Sequence, residues 1–552
     1  MKSYLDQLVR EALRALQLSA TIEPSFEKPK VEAHGDLTTN VALLLGKELK
    51  KNPRALAQEI VSRLRFDERY LEKVEVAGPG FINFRFRPAF FTKDLVSILR
   101  EGEAYGRSST GGGKKTQVEF VSANPTGPLS VGHGRQAAIG DTLANLLEWT
   151  GHAVTREYYY NNAGRQMRKL AESSFARYRQ LFDPSAPFPD DGYQGEYITD
   201  IASRLRQERG DEVLRLPQEK ALEVCKSFAE AELFKAIKAV LARMGVVFDV
   251  FYNEDSLYTD GHIDEVVKEF RRLGLAYDAD GAVWFKATTF GLDQDRVIIK
   301  STGEPTYRLP DIAYHREKFR RGFELIVDVF GADHIATIPD VLAGVKALGY
   351  DPDKVRVVIH QFVTLLRDGE QVKMSKRAGT FVTLEELIEE VGPDAVRFFF
   401  LMRSNTSHLE FDLNLAKEQS EKNPVYYLQY AHARIASILR FAETEGVAGK
   451  VADPEAVARV ADLLESASEV DLIKRLLEFP EQVDSACSSF EPHRLTVYLH
   501  ETATAFHRFY HEQRVVIPER ELSLARLALC RATRIVLANG LRILGVTAPE
   551  RM

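Results

Sequence analysis

The chain is 552 residues long, with 45% hydrophobic and 28% charged residues and a formal net charge of −7. That length calls for several domains of roughly 100–200 residues each, and the composition excludes a disordered or fibrous chain. No apolar run approaches the roughly 18 residues of a membrane span, and the acidic total confines any nucleic-acid surface to a local basic patch.

At the N-terminus, Tyr4, Leu5, Leu8, Val9, Ala12, Leu13 and Leu16 recur at helical spacing, with Asp6 and Glu11 opposite. This is an amphipathic helix rather than a signal peptide. Further on, Phe81, Ile82, Phe84 and Phe86 alternate in part, as a strand does. Residues 1–112 read as an N-terminal α+β module, closed by the turn-rich segment from Ser108 to Lys115. From 113 to 410, strand-like runs at 117–121, 154–160, 297–300, 324–330 and 355–360 alternate with helix-like ones. That alternation predicts a parallel α/β sheet, interrupted near 166–251 by a mostly helical insertion. From 411 to 552 strand signals nearly vanish, and runs at 423–443, 456–466, 470–479, 492–511 and 522–543 predict an all-α helical bundle. Cys225, Cys487 and Cys530 lie far apart, offering neither a disulfide framework nor a zinc pair, which favours a reducing, cytoplasmic setting.

Three places carry chemistry. Residues 121–134 follow a strand and open a helix, whose N-terminus presents unpaired N–H groups and a partial positive charge suited to a phosphate chain. Gly127, Pro128 and Gly132 suit a tight turn there, and His133 at the helix mouth can donate to phosphate or ribose oxygens. Far downstream, Lys373, Met374, Ser375 and Lys376 follow a turn at Asp368-Gly369, and two lysines flanking a serine can follow a departing pyrophosphate. Taken singly, the first pattern is more often a capped turn and the second a solvated basic loop. Tyr307, Asp311 and Tyr314 are spaced so that they share a helix face, where a carboxylate between aromatic rings suits a planar guanidinium. The plainer reading of that trio is two core aromatics and a helix cap. In the bundle, Tyr426, Gln429, His432 and Arg434 are candidates to stack on splayed bases or hold phosphates. Tyr427, Tyr430 and Ile438, at helical spacing, are more often core.

The two signature segments, in that order, resemble the paired motifs of class I aminoacyl-tRNA synthetases. The blocks at 118–128, 158–166, 193–198, 304–315, 330–334 and 423–434, with 35–43, 77–84 and 541–552, resemble the bacterial-type arginyl-tRNA synthetase family over nearly the whole chain. The resemblance implies a class I Rossmann-type catalytic domain between a tRNA-contacting N-terminal domain and an anticodon-binding bundle. It implies ATP with Mg2+, L-arginine and tRNA(Arg) as partners, activation that depends on bound tRNA, and a monomer without protein-bound zinc. Catalysis would fall to Ser130, His133, Lys373, Ser375 and Lys376. ATP would meet Gly127, Pro128, Gly132, His133, His334, Lys373, Met374 and Lys376. Arginine would meet Glu119, Ser122, Asn124, Tyr307, Asp311 and Tyr314, and tRNA would meet Tyr426, Gln429, His432, Arg434 and Met552. Two departures stand out: Ser130 replaces the first histidine of the family's His-x-Gly-His, and Asn162 stands where the family often has an acid. Ser130 keeps open a second reading, a synthetase-like tRNA-binding protein with impaired catalysis. A third, a class I ligase for cysteine or glutamine, is disfavoured by the absence of zinc-type cysteines and by Asp311.

Overall fold

The computed structural model describes residues 1–18, 22–29, 31, 34–372 and 382–552. Its centre is a five-stranded, all-parallel sheet. The strands run, from one edge to the other, Val355–His360, Leu325–Gly331, Lys115–Glu119, Ala153–Tyr160 and Val250–Asn253. Strand order reverses at Lys115–Glu119: the chain moves to one side for the next two strands and to the other for the last two. In open α/β sheets such a switch point, at the carboxyl ends of the strands, is where ligands bind.

The crossover helix Val131–Trp149 is not amphipathic. It is buried on nearly every side, Gly134 to Leu147 almost without a break, because helices from the C-terminal half cover the face that a surface helix would show to water. Close packing explains two of its small residues. A Cβ on Gly140 would sit 2.2 Å from the Phe120 ring, and one on Gly134 would sit 2.5 Å from Leu384.

One expected strand falls elsewhere. Arg296–Ile299 pairs antiparallel with Ala282–Phe285 in a separate three-stranded sheet, and the fifth parallel strand is Val250–Asn253, straddling the end of the stretch read as insertion. Both are only four residues long, and Val250–Asn253 is half-buried throughout, so neither carries a hydrophobic run that distinguishes sheet membership. The insertion is helical, with Gly164–Gln180, Glu196–Arg209 and Gln218–Arg243 packed around Met167, Leu170, Ile198 and Leu233.

The N-terminal part folds as three antiparallel strands, Leu37–Thr39, Phe81–Phe86 and Leu71–Ala77, against helices Lys2–Ala15, Val41–Leu49 and Pro53–Arg63. Helix Pro88–Glu101 then packs on Ala467–Leu477 and Arg520–Leu544, so the two ends of the chain share a core. The C-terminal region consists mainly of helices Pro424–Thr444, Ala467–Leu477, Phe479–Ser489, His493–Glu512 and Arg520–Leu544. The helix expected at 456–466 is instead a short piece, Pro454–Ala458, followed by a single tight turn. Ser466 and Glu469 form a capping box that starts the next helix at Ala467 and so ends the earlier run. Among the described residues, no helix is long and apolar enough to cross a membrane.

Candidate active site

A cavity of about 740 Å³ opens at the carboxyl edge of the sheet, over Glu119, Phe330, Gly331 and His360. Two sets of residues line it. The first is acidic and aromatic. Helix Arg308–Arg320 begins directly after Tyr307 and carries Asp311 in its first turn, where the helix dipole favours a carboxylate. Tyr307, Asp311 and Tyr314 all reach the cavity, as their spacing predicts. They are not equivalent, however. Tyr307 is 57% exposed at the lip, whereas Tyr314 is buried and its hydroxyl donates to Glu157 Oε1 at 2.5 Å. Its ring lies 4.5 Å from Tyr159 and 4.7 Å from Tyr252. Tyr314 is thus a wall with its polar end already used, not the second half of a symmetrical slot.

Asp311 is the anomaly. Among the described residues its carboxylate makes no hydrogen bond and no ion pair. Burial, reinforced by Glu119 and Glu254, pushes it up to about 7, against the opposing pull of His315 and Lys318. Glu119 differs sharply. It accepts from Lys318 Nζ at 2.6 Å and from Ser122 Oγ at 2.9 Å. Lys318 in turn reaches Asp328 at 2.6 Å, which also meets His315 Nε2 at 2.9 Å. Buried Glu119 is matched by the protein itself; half-buried Asp311 is left to be matched by what enters.

The turn after the central strand is strained. Val121 has φ 68° and Ser122 φ 41°, and Ser122 N donates to Phe120 O at 2.9 Å, closing a tight three-residue turn. A β-branched residue in this region is an outlier of the kind that clusters at ligand clamps. The turn brings Ser122 Oγ to Glu119 and to Tyr159 N, 3.2 Å away. Asn124 is held nearby, accepting from Asn161 N at 2.9 Å and donating to Gln166 Oε1 at 3.1 Å. Sequence reasoning passed over Tyr159, Asn161 and Glu254, which also line the cavity. Tyr159 donates its hydroxyl to Glu254 Oε2 at 2.8 Å. The first two lay inside the tyrosine block at 158–166; Glu254 follows the strand that was missed.

The second set surrounds the mouth of helix Val131–Trp149, where Ser130, Gly132 and His133 line the cavity. Ser130 is the N-cap, and its backbone N–H donates to His133 Nδ1 at 3.1 Å. Nδ1 therefore acts as acceptor, and the neutral ring carries its proton on Nε2. Among the described residues, a Cβ on Gly132 would meet only Ser130 Oγ, at 3.7 Å. Gly127 and Pro128 do not fall among the lining residues. Gly127 is small for another reason: a Cβ there would come within 3.1 Å of the Tyr197 hydroxyl, which donates to Thr126 O. His334 stacks on Phe330 at 5.5 Å between ring centres and lines the cavity beside His360, which burial pushes down to about 4.

Lys373, Met374, Ser375 and Lys376 lie outside the described residues. Both flanks reach the site. Val363, at the start of the hairpin strand Val363–Arg367, and Val382 line the cavity. Thr383 bridges to Ser130, and Leu384 N donates to Leu129 O at 2.8 Å.

The bundle candidates divide. Tyr426 and Tyr430 stack at 6.3 Å with planes 9° apart, and exposed Arg434 lies 5.6 Å over Tyr430 and 5.1 Å over Tyr510. Met552 is exposed. Gln429 and His432, expected at the surface, are occupied by the chain's own tail. Gln429 Nε2 donates to Asp394 at 2.7 Å and to Thr547 O at 3.0 Å. His432 is 2% exposed, with Nδ1 donating to Pro549 O at 2.8 Å.

Known proteins agree over the full length. The family model for the class I (R) tRNA synthetase catalytic domain matches residues 94–409. Models for the arginyl tRNA synthetase N-terminal domain and the DALR anticodon binding domain match 3–86 and 428–552. An arginine–tRNA ligase of Desulfotalea psychrophila is 53% identical over 528 residues, covering 96% of this chain and 94% of that one. One from Salinibacter ruber is 48% identical over 571 residues, covering all of both. The structure of Thermus thermophilus arginyl-tRNA synthetase, 23% identical, superposes over the whole of both chains with a TM-score of 0.75, and supports the fold. The chain belongs to the class I arginyl-tRNA synthetase family.

Proposed function

We propose the following division of labour in this arginine–tRNA ligase. The guanidinium of L-arginine enters beside Asp311, with Glu254 close by and Tyr307 at the lip. Such a planar cation matches a carboxylate in two-pronged geometry. Glu119, Ser122 and Asn124 receive the α-amino end. The arginine carboxylate then attacks the α-phosphorus of ATP, and the bond to the pyrophosphate oxygen breaks. His133 Nε2–H and the helix mouth face the phosphates, where fixed donors each contribute about 2.7–4 kcal/mol as charge develops. Lys373 and Lys376 accompany the pyrophosphate, and magnesium enters as the counter-ion of ATP. A ribose hydroxyl at the 3′ end of tRNA(Arg) then attacks the carbonyl carbon of the adenylate, and AMP leaves. Tyr426, Tyr430 and Arg434 offer a stacking surface for anticodon bases, with Met552 nearby.

The observation that carries the arginine reading is the Asp311 carboxylate, which lines the cavity without a partner among the described residues. The catalytically impaired alternative suggested by Ser130 finds no support in the full-length match to arginine–tRNA ligases. ATP–pyrophosphate exchange measured with each of the twenty amino acids, with and without tRNA, tests the assignment. Exchange is expected with arginine and with no other amino acid, and to depend on tRNA. Exchange driven by another amino acid, or none with arginine and tRNA together, rejects it.

A further inference from the structure

Arg135 lies two residues beyond His133 on the same helix and is fully buried. A buried guanidinium is costly unless matched, and among the described residues its partners are carbonyls rather than carboxylates. Nη1 donates to Gln361 O at 2.7 Å and to Ser407 O at 3.1 Å. Nη2 donates to Ser404 O and Ser407 O, each at 3.1 Å. Burial lowers the group to about 10, which leaves it charged at neutral pH. Gln361 lies between His360 and Phe362, both of which line the cavity. The 404–407 turn leads into strand Leu409–Asp412, which pairs in parallel with Val363–Arg367. That turn is anchored in its own right: Asn405 O accepts from Gln361 N at 3.0 Å, and Asn405 Nδ2 donates to Phe490 O at 2.9 Å. A planar fork can hold three carbonyls at once, which the single point charge of lysine does less well.

We infer that Arg135 is a positioning residue for arginine activation, locking the His133 helix mouth at a fixed spacing from the cavity wall at His360, Phe362 and Val363. It touches no substrate. Misplacing reacting groups by about 1 Å costs roughly 100-fold in rate. Asp311 and Tyr307 belong to a different segment, at the start of helix Arg308–Arg320, so the grip on arginine does not depend on this lock. The inference rests on the proposed role of His133.

The test uses full-length Arg135→Lys and Arg135→Gln, assayed by ATP–pyrophosphate exchange with tRNA present. In Arg135→Lys, kcat is expected to fall about 10- to 100-fold, with arginine affinity by calorimetry within twofold of the parent. Arg135→Gln should lose more. A cooperatively folded variant with kcat within twofold of the parent overturns the inference. So does arginine affinity that falls in step with kcat, which marks a general loss of the site. Failure of both variants to fold also overturns it, since Arg135 would then be purely structural. His133→Ala separates the two layers. If it keeps full kcat, the proposed role of His133 and this inference both fall. If it loses kcat while Arg135→Lys does not, only the inference falls.

Discussion

The cavity and the aromatic helix Pro424–Thr444 were picked out of the sequence by the same reasoning, polar and aromatic side chains at helical spacing, yet the structure uses them oppositely. In the cavity, Asp311 is held facing open space with no partner among the described residues. On the bundle helix, Gln429 and His432 are spent on the backbone of residues 547 and 549. A polar group satisfied internally contributes stability; one held unmatched lowers stability and is available to a ligand. Spacing alone does not distinguish the two cases.

Three experiments press on this contrast. The largest effect is expected from Asp311→Asn. Removing one partner of a desolvated charge pair costs about 3–5 kcal/mol, so kcat/KM for arginine in pyrophosphate exchange should drop roughly 10²- to 10⁴-fold while tRNA binding holds. A loss below threefold would mean the guanidinium binds elsewhere. Next comes pH. Burial places Asp311 at about 7 in the empty protein, and the guanidinium needs the ionised form. Arginine affinity measured by calorimetry should therefore fall up to tenfold per pH unit below about 7 and level off above it, with Asp311→Asn flat throughout. Stability runs in the same sense as the shift. The empty fold holds a proton on Asp311 that the unfolded chain releases above about pH 4, so this residue's contribution declines as pH rises from about 4 to 7. The smallest effect belongs to His432→Ala, which strands the Pro549 carbonyl and should cost about 1–3 kcal/mol in thermal unfolding, with exchange activity unchanged. Unchanged melting with a raised KM for tRNA would return His432 to the binding surface and erase the contrast.

Long, strongly patterned features were legible in the sequence: the parallel sheet through 153–160, 325–331 and 355–360, the helical insertion, and most of the bundle. What escaped was short or depended on distant partners. Val250–Asn253 is four half-buried residues at a sheet edge, and no local pattern separates it from Arg296–Ile299, which joined a different sheet. Glu254 follows that missed strand. The strained turn at Val121–Ser122 has no compositional mark, because valine is the residue least expected at positive φ. Gly127 was read as a nucleotide contact, but its size is set by Tyr197, some seventy positions away and visible only once the insertion is folded.

Helix Pro88–Glu101 has a temporal consequence. Its apolar side rests on Ala467–Leu477 and on Arg520–Leu544, and Asn539 Nδ2 donates to the carbonyls of Gly102 and Tyr105, both at 3.0 Å. On the ribosome this segment emerges several hundred residues before its cover. At roughly 5–20 residues per second, Val96, which packs with Ala528, must wait on the order of tens of seconds for the surface that covers it.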